Sequence, residues 1–301
     1  KDSMMDIIQK FMNLKDGKTL IFPRYHQLDV VRKLLADVRQ NGAGHNYLIQ
    51  HSAGSGKSNS IAWLAHQLTG LEDAQGNLLV DSVIVVTDRV VLDKQIRDTI
   101  RQFAQTRNII AWAEHSGDLR KAIEDGRRII ITTIEKFPYV LPEIGEDHKD
   151  RHFAIIIDEA HSSQNGKTAG TMNMTLSAIM SDPDMDNEDK INAMCEGKKL
   201  LTNASYFAFT ATPKNKTLET FGTAYEDAGV IKHRPFHVYT MKQAIQEGFI
   251  LDVLKYYTPI DSYYRLKKRW RMTRCSTKRR HRKSSAPSSR IRRSPSRKKP
   301  T

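Results

Sequence analysis

Short runs of consecutive apolar residues recur along the chain, and polar segments of helical character follow most of them. Continuous Val- and Ile-rich runs of this length are typical of strands buried on both faces, as in a parallel sheet covered by helices. The alternation predicts an α/β fold with a doubly wound, mostly parallel sheet and helices on both faces. Strands are predicted at Tyr47–Ile49, Val83–Thr87, Ile109–Trp112, Ile129–Thr133, Phe153–Ile157 and Tyr206–Thr210.

Apolar residues repeat every three to four positions around and between these strands, which predicts amphipathic helices. The first is predicted over residues 1–12, with Ser3 as its N-cap. A second is predicted to open at Phe22–Gln27, with Pro23 in its first turn, and to end at Asn41–Gly44. The same periodicity predicts helices at Lys57–Leu68, Val90–Phe103, Leu119–Glu124, Thr171–Met180 and Met241–Gln246.

The stretch Gln50–Ser60 lies between the first predicted strand and a predicted helix. Gly54 and Gly56 allow the backbone to curl so that its N–H groups point at an anion, and the helix N-terminus adds a favourable dipole. Lys57 brings a positive charge to the β- and γ-phosphates, and Ser58 offers a hydroxyl to Mg²⁺. These features predict a phosphate-binding loop. A flexible Gly/Ser loop that happens to contain a lysine is the alternative.

Two further polar segments follow predicted strands. Asp158 and Glu159 come directly after Phe153–Ile157, where the first is placed to hold Mg²⁺ and the second to polarise an attacking water. A solvated acidic turn is the alternative. Thr210–Pro213 ends the last predicted strand with two hydroxyls, and taken alone it is a weak Ser/Thr turn. Because ligands of such sheets bind at the carboxyl ends of the strands, all three segments are expected at one site.

The positive net charge of +14 is confined to the C-terminal region. Residues 262–301 contain 17 Lys and Arg and no acidic residue, whereas the rest of the chain holds 31 basic and 34 acidic residues. Overall charge therefore gives no support for DNA binding by the globular part. No apolar run approaches the roughly 18 residues of a membrane span. With no signal peptide and no metal-type spacing of Cys195 and Cys275, a cytoplasmic protein without membrane association is expected.

In this order and spacing, His51–Ser58, Asp158–His161 and Thr210–Pro213 resemble the first RecA-like lobe of a superfamily 2 helicase-like ATPase. His51 stands where the general loop pattern has its first glycine, a departure that is similar to the superfamily 2 version. A narrower resemblance, over roughly residues 5–266, is to the R (restriction and translocation) subunit of type I restriction enzymes. It rests on Arg24–Gln27, Gln50–Ser58, Val86–Arg89, Thr132–Phe137 and Tyr239–Pro259.

The resemblance implies ATP and Mg²⁺ as cofactors and assigns roles to residues. Gln27 would read the adenine edge, with an ordinary surface glutamine as the alternative. His161 would couple nucleotide state to the other motifs, and Arg89 would contact DNA; a structural histidine and a surface ion-pair partner are the respective alternatives. The implied cofactor-binding residues are Gln27, Ser52, Ala53, Gly54, Ser55, Gly56, Lys57, Ser58 and His161; the catalytic residues Lys57, Asp158 and Glu159; the metal ligands Ser58 and Asp158; the DNA-binding residues Asp88, Arg89, Thr132 and Thr133; and the coupling residues Thr210 and Thr212.

As a whole, the resemblance implies an ATP-binding motor lobe that powers translocation of double-stranded DNA before cleavage, in a complex with methyltransferase and specificity subunits. The family's nuclease domain and second RecA-like lobe have no match in the sequence. Because no arginine finger can be named after Pro213, hydrolysis by this chain is expected to be weak. A strand-separating helicase lobe and a non-catalytic nucleic-acid-binding fragment are the alternatives.

Three regions are predicted: a connecting helix or linker at 1–22, the RecA-like ATP-binding lobe at 23–261 and a basic low-complexity tail at 262–301. The tail has too few apolar residues to fold and is expected to be disordered. Two interpretations of it stay open. It is either a basic arm that binds phosphates or the product of a frameshift, since Arg271–Thr277 can be encoded so that another frame reads as an acidic, family-like run.

Overall fold

A parallel sheet of seven strands forms the centre of the computed structural model, which describes residues 2–15, 18–87, 96, 98–101, 109–113, 115–134, 148–158, 203–252 and 255. The strand that comes last in the sequence lies at one edge of this sheet. All neighbouring strands in it run parallel. From edge to edge the strands are β11 (His237–Tyr239), β3 (Asn46–His51), β8 (Ala204–Thr210), β7 (Phe153–Ile157), β4 (Ser82–Thr87), β6 (Ile129–Thr133) and β5 (Ile110–Trp112).

Besides this sheet, the described residues contain six helices with defined bounds, two small antiparallel hairpins and further helical residues at 96, 98–101 and 255. The hairpins pair β1 (Asn13–Lys15) with β2 (Thr19–Ile21) and β9 (Thr223–Asp227) with β10 (Val230–Arg234). None of the helices in the described residues is long and apolar enough to cross a membrane. The helices are α1 (Asp2–Lys10), α2 (Tyr25–Asn41), α3 (Lys57–Leu68), α4 (Ser116–Glu124), α5 (Asn215–Phe221) and α6 (Met241–Gln246).

The sheet is buried on both faces because each central strand is apolar at successive positions, and successive side chains point to opposite faces. In β4, Val83 and Val85 join a core cluster with α2 and α3, whereas Ile84 and Val86 join a second cluster with α4. Trp63 of α3 is 1% exposed in the first cluster and donates from its indole N–H to the Phe11 carbonyl at 2.8 Å. The fully buried Phe11 thereby ties the segment after α1 to α3.

The structure confirms the predicted fold class, and each of the six predicted strands is present to within two residues. Three helix starts were wrong, one of them that of α4, which begins at Ser116 and not at Leu119. Ser3 lies inside α1, which begins at Asp2, and α2 begins at Tyr25, so that Pro23 precedes it with Arg24 as N-cap. The helix at Lys57–Leu68 has the predicted bounds. The predicted helix at 171–180 and most of that at 90–103 lie outside the described residues.

The sequence prediction missed β11 and both hairpins. The chain divides into two compact units, Lys1–Ile250 and Leu251–Thr301. The second unit lies almost wholly outside the described residues, as does the basic tail. The boundaries at 22 and 261 stay predictions.

Candidate nucleotide-binding site

The predicted phosphate-binding loop connects β3 to α3, at the edge of the sheet formed by the carboxyl ends of the strands. Gly54 and Gly56 adopt φ of +74° and +81°, the left-handed region that glycine enters without steric cost. Gly56 is the N-cap of α3 in the αL conformation. Lys57 and Ser58 therefore form the first turn of α3, where backbone N–H groups and the helix dipole favour an anion.

The sheet order brings the three predicted motifs together. β8 lies between β3 and β7, with Gln50 paired to Thr210 and Ile157 paired to Ala208. Asp158 follows β7 directly and is 5% exposed, and its backbone N–H donates to the Val86 carbonyl at 2.9 Å. Since neighbouring strands lie about 4.8 Å apart, the axes of β3 and β7 are about 10 Å apart. The loop and Asp158 therefore lie two strands apart at the same edge of the sheet.

Two side chains at the start of α2 form hydrogen bonds to backbone carbonyls of the loop. Gln27 donates from Nε2 to the carbonyls of Ser55 (3.3 Å) and Gly56 (3.0 Å), and its Oε1 accepts from the Arg24 N–H. His26 Nε2 lies 2.9 Å from the same Ser55 carbonyl oxygen. Because C=O and N–H of a trans peptide point in opposite directions, these bonds turn the N–H groups of the two following residues away from α2. That orientation presents backbone donors to a phosphate.

Gln27 is 2% exposed, which does not fit the ordinary surface glutamine that the sequence left open. Its amide is engaged with the loop on one side and with Arg24 on the other. Reading of an adenine edge by Gln27 stays a prediction. The Arg24 guanidinium lies 3.9 Å over the Phe249 ring, and its Nη1 is buried without a hydrogen-bond partner in the described residues.

Buried hydroxyls around the loop fit a polar ligand. The Oγ atoms of Ser52, Ser55 and Ser60 are buried and have no hydrogen-bond partner among the described residues. Buried polar groups in native proteins are normally satisfied, so these hydroxyls have unused hydrogen-bonding capacity in and next to the loop. The Lys57 ammonium group, on a side chain that is 7% exposed, adds the matching positive charge. A ligand cluster of three or more His, Cys, Asp or Glu is absent from the described residues. A cation held only by a hydroxyl, a carboxylate and phosphates needs no such cluster.

A layer of histidines lies beneath the loop. His51, the last residue of β3, is fully buried, and its Nε2 is 2.8 Å from Nδ1 of His237. His237 Nε2 in turn lies 3.1 Å from Oδ2 of Asp29. Burial, aided by repulsion from Lys57 and from His237 and His26 whenever those rings are protonated, lowers the pKa of His51 to about 2. Burial is also the main cause that lowers the pKa of His26 and His237. All three rings are therefore neutral at pH 7.

The edge strand β11 contacts the loop directly. The Ser52 N–H donates to the Tyr239 carbonyl at 3.0 Å, which continues the β3–β11 pairing into the loop. The Tyr239 ring stacks on His26 at 3.7 Å between centroids and 9° between planes. Its hydroxyl donates to Glu247 at 2.7 Å, and burial together with this bond raises its pKa to about 12. Sequence reasoning missed this support, because its partners lie far apart along the chain and no local pattern links them.

The remaining predicted site residues are placed as follows. Thr132 and Thr133 end β6 and are 0% and 5% exposed, and the Thr132 carbonyl accepts from the Thr87 hydroxyl at 3.4 Å. Thr210 is fully buried, whereas Thr212, Ala53 and Gly54 are exposed. Their assigned roles stay predictions. Asp88, Arg89, Glu159 and His161 lie outside the described residues.

The parallel sheet, the glycine-rich loop at the N-terminus of α3 and the acid that follows the second strand along from β3 define a RecA-like P-loop ATPase lobe of the helicase type. A family model for SWI2/SNF2 ATPases matches residues 26–270. The chain belongs to this family.

Curated relatives are type I restriction enzyme subunits. The chain is 29% identical over 182 residues to a Mycoplasma pneumoniae protein described as the C-terminal part of the MpnIIP endonuclease subunit, covering 56% of this chain and 84% of that protein. It is 25% identical over 253 residues to the SauMSSORF170P endonuclease subunit of Staphylococcus aureus, covering 81% of this chain and 23% of the relative. The resemblance to R subunits is thus confirmed, and the chain spans about a quarter of the Staphylococcus relative.

Among solved structures, an HsdR fragment of a type I restriction enzyme from Vibrio vulnificus YJ016 is 17% identical, with a TM-score of 0.44 over 82% of this chain and 35% of that one. The Sulfolobus solfataricus SWI2/SNF2 ATPase core in complex with double-stranded DNA is 18% identical, with a TM-score of 0.41 over 66% of this chain and 34% of that one.

Proposed function

We propose that the chain is the ATP-binding motor lobe of a type I restriction R subunit and powers translocation along double-stranded DNA. The observation that carries the proposal is the geometry of the phosphate-binding loop. Gly56 caps α3 in the αL conformation, its carbonyl is held by Gln27, and Asp158 lies two strands away at the same edge of the sheet. The match to SWI2/SNF2 ATPases supports nucleotide use.

Within this proposal each residue has a distinct task. The backbone N–H groups of Ser52–Ser58 and the Lys57 ammonium would bind the β- and γ-phosphates of ATP. Ser58 and Asp158 would hold Mg²⁺, with the hydroxyl and the carboxylate as the hard oxygen donors that this ion prefers. When bound, Mg²⁺ neutralises charge on the phosphates. Glu159 would orient the attacking water, and Gln27 would contact the adenine.

The curated relatives, which are type I restriction enzyme subunits, support the proposed DNA and protein partners. Asp88, Arg89, Thr132 and Thr133 follow or end parallel strands and would contact the DNA backbone, a sequence-independent form of recognition. Thr210, the last residue of the strand between the loop and Asp158, and Thr212 just after it would pass nucleotide state to those contacts. Methyltransferase and specificity subunits would supply the remainder of a type I restriction complex.

Nucleotide binding by the 301-residue chain tests this proposal. A fluorescent ATP analogue with Mg²⁺ is titrated against the unaltered chain and against Lys57→Ala and Asp158→Asn. Lys57→Ala is expected to weaken binding at least about tenfold, because it removes the cation from the phosphates. Asp158→Asn is expected to weaken binding only when Mg²⁺ is present. Lys232→Ala, on an exposed hairpin, is the control. Equal affinity of the Lys57 variant and the control would refute the phosphate site.

A further inference from the structure

We propose that His237 is a positioning residue of the ATP site, which sets the start of the phosphate-binding loop by holding His51 through a hydrogen bond. The inference rests on the proposed function, since it concerns the affinity of the same loop for ATP. It assigns a role in that site to the edge strand β11, far downstream of the loop in the sequence. His237 contacts no nucleotide in this role and acts through His51 and the backbone.

The hydrogen bonds fix one proton arrangement. The Asp29 carboxylate can only accept, so the His237 Nε2 at 3.1 Å carries the proton and donates to it. The neutral His237 ring then presents an unprotonated Nδ1, which must accept from His51 Nε2 at 2.8 Å. His51 Nδ1 is left without a proton and has no partner among the described residues. Donation therefore runs in one direction, from His51 to His237 and from His237 to Asp29.

Burial makes this bond costly to lose. His51 is 0% exposed, and the His237 side chain is 10% exposed. A buried donor without a partner has lost its hydrogen bonds to water and gains none in the protein, so the folded state carries the full cost of its desolvation. Among the described residues His237 is the hydrogen-bond partner of the His51 ring, and Phe209, His26 and Tyr239 make only edge-to-face contacts with it, at centroid distances of 6.4, 5.4 and 6.1 Å. The position of the ring therefore depends on its hydrogen-bond partner.

The His51 backbone carries this constraint into the loop. His51 pairs with Tyr239 in the parallel register of β3 and β11, and the next residue, Ser52, donates its N–H to the Tyr239 carbonyl. Without the His51–His237 bond, the end of β3 can shift relative to β11 at the point where the loop begins. His26, stacked on Tyr239 and bonded to the Ser55 carbonyl, transmits the same displacement to the second half of the loop.

Two substitutions of His237 separate a positioning role from a structural one. His237→Ala removes the acceptor for His51, and we expect ATP affinity to fall about tenfold. His237→Asn places an amide oxygen near the former Nδ1, and we expect affinity within about threefold of the unaltered chain. His233→Ala, the same change on the β9–β10 hairpin, is the matched control and is expected to bind ATP normally. Thermal unfolding of each variant shows that the comparison is made on folded protein.

Imidazole ¹⁵N NMR of the 301-residue chain gives a readout that does not need nucleotide. The expected result is the Nε2–H tautomer for both His51 and His237, with loss of the His51 signature in His237→Ala. An Nδ1–H tautomer at His51 overturns the inference. If the unaltered chain binds ATP and His237→Ala binds equally well, or His237→Asn binds no better than His237→Ala, the positioning role is refuted alone. If the unaltered chain does not bind ATP, the proposed function fails with it.

Discussion

Substitution of Gly56 by alanine tests how tightly α2 holds the phosphate-binding loop. Gly56 has φ +81°, and a Cβ at this position would lie 2.5 Å from Nε2 of Gln27. A non-glycine residue in the αL region costs roughly 1–2 kcal/mol. The clash adds a second cost, because the Gln27 amide must leave the Ser55 and Gly56 carbonyls, and each such bond contributes about 1 kcal/mol. Gly56→Ala is therefore expected to lower the free energy of unfolding by about 3 kcal/mol.

A matched glycine isolates the clash. Gly76 has φ +84°, and a Cβ at this position would meet nothing within 4 Å, so Gly76→Ala is expected to cost only the backbone strain of roughly 1–2 kcal/mol. Urea unfolding of the 301-residue chain, followed by tryptophan fluorescence, measures both losses. In a Gln27→Ala background the clash partner is absent, and the cost of Gly56→Ala should fall to that of Gly76→Ala. An unchanged cost in that background would refute the contact between Gln27 and the loop.

Three further predictions concern buried polar groups. Trp63→Phe removes the donor to the Phe11 carbonyl and should lower the urea midpoint by the equivalent of about 1–3 kcal/mol; an unchanged midpoint would contradict it. Tyr47→Phe removes the 2.7 Å bond to Asp37 and should cost about 1 kcal/mol, with no loss once Asp37 is alanine. Burial lowers the pKa of His51 below its unfolded value, so stability is complete above about pH 6.5 and falls below it, by about 1.4 kcal/mol per pH unit for this residue. Thermal unfolding between about pH 7.5 and 5.5 tests the sign, and a midpoint that rises on acidification would contradict it.

The long strands could be predicted from the sequence because each of them is a continuous run of apolar residues. Ile129–Thr133 and Phe153–Ile157 are buried at every position, and a continuous apolar run is what burial on both faces demands. The strand β11 breaks this rule. It has three residues, Val238 is 42% exposed, and it pairs on one side only. An edge strand of this kind carries no apolar run, so periodicity could not find it.

The candidate site divides in the same way. The glycines, Lys57 and Ser58 were predicted because their chemistry depends on spacing within one loop. The supporting residues were not predicted. Asp29 and His237 are 208 positions apart in the sequence, and the residues around one give no indication that it contacts the other. Gln27 lies between these cases. Its role was assigned by resemblance, and the structure adds its burial and its two bonds to the loop.

The histidine at the first position of the loop has a backbone explanation. Positive φ falls on Gly54 and Gly56, and among the described residues Ala228 is the one non-glycine with positive φ. His51 is the last residue of β3, paired with Tyr239 in extended conformation, which any residue can adopt. Glycine at this position would therefore relieve no strain, and it would remove the buried ring that His237 holds. The departure from the general pattern is thus compatible with a phosphate-binding loop because the edge strand β11 provides a place for the side chain.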